Sequence, residues 1–334
     1  MDECTCAIME GPPRQAFVGT PRSLVRTRGG YLMIADKISS DGFDSQIDLF
    51  HRDSENASMK SMLVSSVCKY ADFSAPWYRS QELSLMIRKM YAGHSAQQFD
   101  FVNRKFWEWC AIAQALDERR MLRSGISGLG FAVGREPLAS HFAARGCDIL
   151  ATDLEAENSE GNWISTDQHA SSLEALFQPL LVQREVFEAR VAFKPADMRT
   201  LKGLTGEHDF IWSSCALEHL GTLQAGIDFV VESSKLLRPG GVAVHTTEFN
   251  VASELATVEA GGNVIYRRSD ILALAAQLRL LGLHLVTPDF DAGNHRYDLE
   301  FDTPPYMESG KVHLKLEIDG FVSTSMLLIV ERAA

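Results

Sequence analysis

Acidic, imidazole and small residues fall in this 334-residue chain where strand-like runs end, which is where ligand chemistry is done in alternating folds. The run ending in GLGFAVGREPLASHF passes through a small-residue loop holding Gly130, Phe131, Ala132, Gly134, Glu136 and Pro137, then opens a helix. Such a loop lets a ligand approach backbone amides, and the helix start adds partial positive charge. CDILATD ends in Asp153, with Leu154 next, 19 residues after Gly134, where a carboxylate can accept both hydroxyls of a ribose or cap a helix. VAFKPADM ends in Asp197 and Met198, a carboxylate and a following amide able to read the edge of an adenine. DFIWSSCALEHLG places Ser213, Ser214 and Cys215 at a strand end, and His219 soon after as a possible base. VHTTEFN adds His245, Glu248 and Asn250; His245 and Glu248 are three apart, so on a continuous strand they project to opposite faces. NWISTDQHA brings Trp163, Gln168 and His169 toward the same edge, with an aromatic able to stack on a base or attract a cation. These features call for a nucleoside-containing cofactor and leave a nicotinamide dinucleotide and S-adenosylmethionine both open.

The elements that would position these residues alternate. GISGLGFA, CDILATD, VAFKPAD, DFIWSS and GVAVHTTEF read as strands. EPLASHFAARG, residues 171–189, LQAGIDFVVESSKLL and SDILALAAQLRLLGL read as the helices among and after them, the pattern of a parallel α/β sheet. LLRPGG is a helix stop and tight turn, and HLKLEID and VSTSMLLIVE flank an Asp-Gly turn that predicts an antiparallel hairpin. Upstream, SMLVSSVCKYA, QELSLMIRKMYAG and FDFVNRKFWEWCAIAQALDERRML have apolar residues three and four apart, predicting helices. YLMIAD and SQIDLF, either side of a Ser-Ser-Asp-Gly turn, read as short strands. The expected organisation is an extension over 1–60, a helical cap over 61–123 and the nucleoside-binding domain over 124–334.

Composition narrows the partners. Forty-four acidic against 32 basic residues leave a net charge of −12, which repels a phosphate backbone and an anionic membrane surface. No apolar run is long enough to span a bilayer, and the opening residues lack a signal-peptide layout, so a cytoplasmic protein is expected. The six cysteines form no CxxC pair or zinc-ligand pattern and read as buried thiols.

Taken in order, the glycine loop, Asp153, the Asp197-Met198 pair, the Glu218-His219-Leu220 element and the Leu-x-Pro-Gly-Gly turn resemble the class I S-adenosylmethionine-dependent methyltransferases. The likeness runs from about Gly125 to Val251 and extends to the closing hairpin. It implies an α/β, Rossmann-like seven-stranded methyltransferase sheet, mostly parallel with a C-terminal antiparallel hairpin, behind an N-terminal helical cap. It also implies S-adenosylmethionine as cofactor. Asp153 would hold the ribose, Leu154 would pack on the adenine, Asp197 and Met198 would read its edge, and Ser213, Ser214 and Cys215 would lie beside the methionine part. Aligned on the family, the loop has Gly130 where an acid is common and Ala132, Gly134 and Glu136 at the glycines, with a second register starting at Gly128. Glu136 would then replace the missing acid. His219, Glu248 and His169 are the candidate catalytic residues. Glu218, His219 and Glu248 also resemble the ligand sets of metal-dependent small-RNA 2′-O-methyltransferases, but Cys215 stands where the first glutamate of that set belongs, so no metal is expected. The expected function is methyl transfer to a small molecule such as a sugar, glycan precursor or secondary metabolite. Other chemistry of the sulfonium, such as intramolecular cyclisation, and a non-catalytic cofactor-binding protein are the alternatives.

Overall fold

The computed structural model describes residues 62–91, 102–155, 170, 172–306 and 308–334, and the short strands at 25–27 and 30–32. The chain divides into two compact units, one of residues 8–61 and one containing residues 62–334. In the first, β1 (Val25–Thr27) pairs antiparallel with β2 (Gly30–Leu32), so the start of the YLMIAD run has a partner on its N-terminal side. The expected partner, SQIDLF, lies outside the described residues, as do His169, Trp163 and Gln168.

The second unit is built on alternation. In β4 (Ser127–Phe131), β5 (Asp148–Asp153), β6 (Val191–Pro195), β7 (His208–Ser214) and β8 (Leu237–Asn250) the strands run parallel, and β11 (Phe321–Arg332) returns antiparallel beside β8. Side chains of successive residues point to opposite faces. Phe210, Trp212, Val242, Val244, Leu327 and Ile329 therefore join one buried cluster, while Ile211, Ala243, Met326, Leu328 and Val330 join the other. Helices cover both faces: α3 (Arg104–Glu118), α4 (Leu138–Ala144) and α5 (Arg184–Arg190) contribute to the first cluster, and α6 (Leu223–Ser234) and α7 (Arg268–Leu280) to the second. The helices α1 (Pro76–Ser80) and α2 (Glu82–Tyr91) complete the N-terminal part of this unit, and α8 (Arg296–Leu299) precedes the final hairpin.

The sheet order is β10-β11-β8-β7-β4-β5-β6, with β3 (Ser66–Val67) and β9 (Leu283–Leu285) also pairing with β11. Ascending from β4, the chain fills one side with β5 and β6, then crosses back to place β7 and β8 on the other. The strand order thus reverses between β4 and β7, and the crevice outside their carboxyl ends is the ligand site of open α/β sheets. The closing hairpin joins β10 (Leu316–Ile318) to β11 through Asp319 and Gly320, both at positive φ (48° and 81°). That is what a two-residue turn matching the strand twist requires.

Two helix expectations are corrected. SMLVSSVCKYA forms β3 and leads into a 3₁₀ turn over Tyr70–Ser74. Its residues hydrogen-bond to β11, Cys68 N donating to Ser325 O at 2.8 Å, so tertiary pairing overrides the helical spacing. Residues 171–189 are helical only at Leu173–Leu176 and in α5, because Pro179 supplies no amide and its ring blocks a continuous helix. The Leu-x-Pro-Gly-Gly run, expected as a turn, instead opens β8 soon after α6; Gly240 in it takes φ +78°, and the pairing with β7 is irregular there.

Candidate active site

At the switch point, β4 ends at Phe131 and the chain turns through Ala132 (φ +45°) and Gly134 (φ +50°) toward α4, for which Pro137 is the N-cap. Gly128 and Gly130 lie inside the strand, where a Cβ would enter the rings of Phe210 and Trp212. Their smallness is thus needed for packing. Phe131 is wholly buried and meets Phe229 edge-on with ring centroids 5.1 Å apart. Glu136 closes the loop. Burial pushes its carboxyl up to about 8, although Lys105, Ser214 and Trp109 nearby favour the ionised form, and its Oε2 makes no hydrogen bond.

At the tip of β5, the Asp153 carboxylate accepts from three backbone amides: Gly134 at 3.1 Å, Leu154 at 2.8 Å and Ala170 at 3.1 Å. It ties the glycine loop to the second strand. Beyond β6, Asp197 accepts from the amide and guanidinium of Arg199, which helps hold its carboxyl below the usual range despite partial burial. Met198 is buried in the core cluster on the α6 side.

The ends of β7 and β8 meet α3 in a buried charged network. Ser213 points to the α6 face, its hydroxyl 2.8 Å from His245 Nδ1, and burial drives that imidazole down to about 3. Ser214 points the other way and donates to Glu108 Oε2 at 3.1 Å; Thr246 donates to the same oxygen at 3.3 Å. Arg104 Nη2 is 2.5 Å from Glu248 Oε1, and its Nη1 reaches Ser325 Oγ at 3.0 Å and Glu108 Oε1 and Cys215 Sγ at 3.5 Å. Burial would raise Glu108, but Lys105, Arg104 and Ser325 outweigh it and hold the carboxyl below its ordinary value. Ser323 donates to Glu248 Oε2 at 2.6 Å, so both oxygens of that carboxylate are occupied.

Glu218 behaves differently. Thr247 donates to its Oε2 at 3.2 Å, while the buried Oε1 has no partner. Burial and the neighbouring Glu248 raise it to about 7. His219 Nδ1 donates to Gly262 O at 2.8 Å, which leaves Nε2 facing Glu218 Oε1 at 4.0 Å; burial lowers this imidazole to about 4. Among the described residues, Cys215, Glu218 and Glu248 are the one group with donor atoms close enough to hold a metal ion, within 4.8 Å. The Arg104 guanidinium already rests against two of those donors, so a side chain supplies the positive charge there.

Five parallel strands with the order reversal between β4 and β7, an antiparallel β11 beside β8, and an acid-tethered glycine loop at the switch decide the architecture. The fold is that of the class I S-adenosylmethionine-dependent methyltransferases. No protein-family model and no curated protein matches the sequence. Among solved structures, the chain is similar to magnesium protoporphyrin IX methyltransferase from Synechocystis with bound SAH: 11% identity, 79% of this chain and 100% of that one, TM-score 0.42. It is also similar to an S-adenosylmethionine-dependent methyltransferase from Mesorhizobium loti, at 13% identity over 65% of this chain and 96% of that one, TM-score 0.41. A third similar structure is the cyclase SpnF, at 15% identity over 68% and 84%, TM-score 0.45.

On this methyltransferase fold, the loop Gly130–Pro137 and Ser213, Ser214 and Cys215 stand together at the switch point, with Asp153 alongside. Leu154 follows β5, and Asp197 and Met198 follow β6 farther along the same edge. Glu248 and His219 reach the edge, but Glu248 is locked in an ion pair and His219 is fixed to a carbonyl. Sequence reasoning missed Arg104, Lys105 and Glu108. Their i, i+4 and i, i+3 spacing reads as an ordinary surface salt-bridge pattern, and only the burial of α3 turns them inward.

Proposed function

We propose that this chain is an S-adenosylmethionine-dependent methyltransferase acting on a small-molecule acceptor, such as a sugar, glycan precursor or secondary metabolite, by direct displacement. The observation that carries the reading is the Glu136 carboxyl at the strand switch, buried with an unpartnered oxygen. A buried carboxyl oxygen without a partner costs free energy unless a cation or donor completes it, and the ammonium of a bound amino acid would do so. When bound, the cofactor supplies an electrophilic methyl group on a positively charged sulfur. Asp153 and Leu154 would hold the ribose and adenine side, Asp197 and Met198 the adenine edge, and Ser213, Ser214 and Cys215 the methionine part. Gly130, Phe131, Ala132, Gly134 and Pro137 serve by shaping the loop, since Phe131 and the strand glycines are committed to packing. The net charge of −12 supports a small acceptor over a nucleic acid.

Calorimetry with S-adenosylmethionine and its demethylated product tests this. Both bind the wild type, and Glu136→Gln weakens each about tenfold, the loss of about 1.4 kcal/mol. Binding of NADH in their place, or equal affinity in the variant, refutes the reading.

One observation favours a second reading, a cofactor-binding protein without turnover: Asp153 and Asp197 are both satisfied by their own chain, and α3 fills the cleft with charge. Transfer of a labelled methyl group to any small molecule of a native extract eliminates that reading.

A further inference from the structure

We propose that Glu218 is the base of this site, that Arg104 positions Glu248 outside that role, and that the acceptor accordingly presents a hydroxyl or an amine, not a carboxylate or a phosphate. This rests on the methyltransferase reading above.

Two carboxylates compete for the role, and their surroundings separate them. Both oxygens of Glu248 are engaged: Arg104 Nη2 lies 2.5 Å from Oε1 and Ser323 donates to Oε2 at 2.6 Å. Taking up an acceptor's proton there would disturb one of these charge-assisted contacts. Glu218 is 0% exposed and keeps Oε1 without a hydrogen bond. The groups facing it are Glu248 and Thr247 from β8, Cys215 and His219 from its own segment, Lys105 from α3, and Tyr266. Of these, Lys105 is the cation, and it is bound to Glu108 at 3.2 Å. Burial and Glu248 bring Glu218 to about 7, the range in which a general base works best near neutral pH.

A buried proton acceptor of this kind, set among other carboxylates, matches a neutral acceptor group that has both a lone pair and a proton to lose. In the reaction, the acceptor's bond to hydrogen breaks as its bond to the methyl carbon forms. The proton goes to Glu218 Oε1, and the methyl carbon's bond to sulfur breaks with its electron pair left on sulfur. A carboxylate or phosphate has no proton to lose at neutral pH and would stand among Glu108, Glu218 and Glu248, whose two neighbouring cations are already paired.

Infrared difference spectroscopy over pH reads the proton on Glu218 without any acceptor. The wild type shows buried carboxylic-acid stretches that ionise near neutral pH. Glu218→Gln removes one of them, and Glu136→Gln removes a different one. Should Glu218→Gln fold poorly, Thr247→Val is the second variant: loss of the hydroxyl that supports the ionised form moves the same midpoint upward. Arg104→Met adds an acid stretch from Glu248, whereas Arg104→Lys does not. An unchanged band set in Glu218→Gln, an unmoved midpoint in Thr247→Val, or no added band in Arg104→Met overturns the assignment. For the acceptor class, label transferred from S-adenosylmethionine to extract molecules stays in product after mild base. Release as methanol marks a methyl ester and overturns that part. Calorimetry on the wild type separates the two levels: if S-adenosylmethionine does not bind, the function is withdrawn, while the infrared result still judges Glu218.

Discussion

At the scale of single residues, the Arg104 guanidinium is the centre of the site's electrostatics. It is 1% exposed, and it binds Glu248, Glu108, Ser325 and the Cys215 sulfur from one position. Desolvating such charges is costly, and the carboxylates packed against the guanidinium offset that cost. Removing one partner exposes the imbalance. Arg104→Ala leaves two buried carboxylates short of a counter-charge and is expected to destabilise the chain by about 3–5 kcal/mol in chemical denaturation. Replacing Arg104 and Glu248 together by Met and Leu removes the charge pair as a unit, and is expected to recover more than half of that loss. If the single and double variants are equally unstable, the network is held by packing and not by charge balance.

At the scale of elements, the parallel strands and their tips were legible because their apolar runs are short, separated by turn signals and alternate with helical spacing. The Asp-Gly hairpin was legible from two residues. β3 was not: its few residues acquire strand geometry only by pairing with β11, some 260 positions away in the chain, and local spacing carries no trace of that partner. The inward charge of α3 was hidden for a similar reason, since Arg104, Lys105 and Glu108 face the sheet only after docking. The glycines illustrate a residue type whose smallness also does packing work that local spacing does not reveal. Gly128 and Gly130 look like ligand-loop glycines, yet they make room for the Phe210 and Trp212 rings within the sheet. Gly130→Ala is thus expected to cost about 1–3 kcal/mol by overpacking. Trp212→Leu in the same chain should relieve part of it. Equal stability of Gly130→Ala and wild type would show that the ring has room to move, and would return Gly130 to the ligand loop.

At the scale of the whole 62–334 unit, buried ionisable groups make stability depend on pH in opposite directions. Glu136 and Glu218 have folded values raised from 4.5 to about 8 and about 7. Between those limits the folded chain keeps protons that the unfolded chain has released, so stability falls as pH rises. His141, His219 and His245 have values lowered from 6.5 to about 4, 4 and 3. Below pH 6.5 the unfolded chain takes up protons that these buried rings refuse, so stability falls as pH drops, partly offset by the carboxyls. At pH 6.5 the unfolded histidines are still half protonated, so their contribution is complete only above about pH 7.5, where the carboxyls act alone. One retained proton changes stability by about 1.4 kcal/mol per pH unit, so from pH 6.5 to 8 the carboxyls lose on the order of 2 kcal/mol, of which the histidines return about half before pH 7.5. Scanning calorimetry is expected to show a melting temperature that declines over this interval in the wild type and declines less than half as much in Glu136→Gln. Saturating S-adenosylmethionine should have a related effect, because an ammonium paired with Glu136 favours its ionised form. Its stabilising increment then grows from pH 6.5 to 8 in the wild type and stays constant in Glu136→Gln. An increment with the same pH slope in both proteins would detach the cofactor's amine from Glu136.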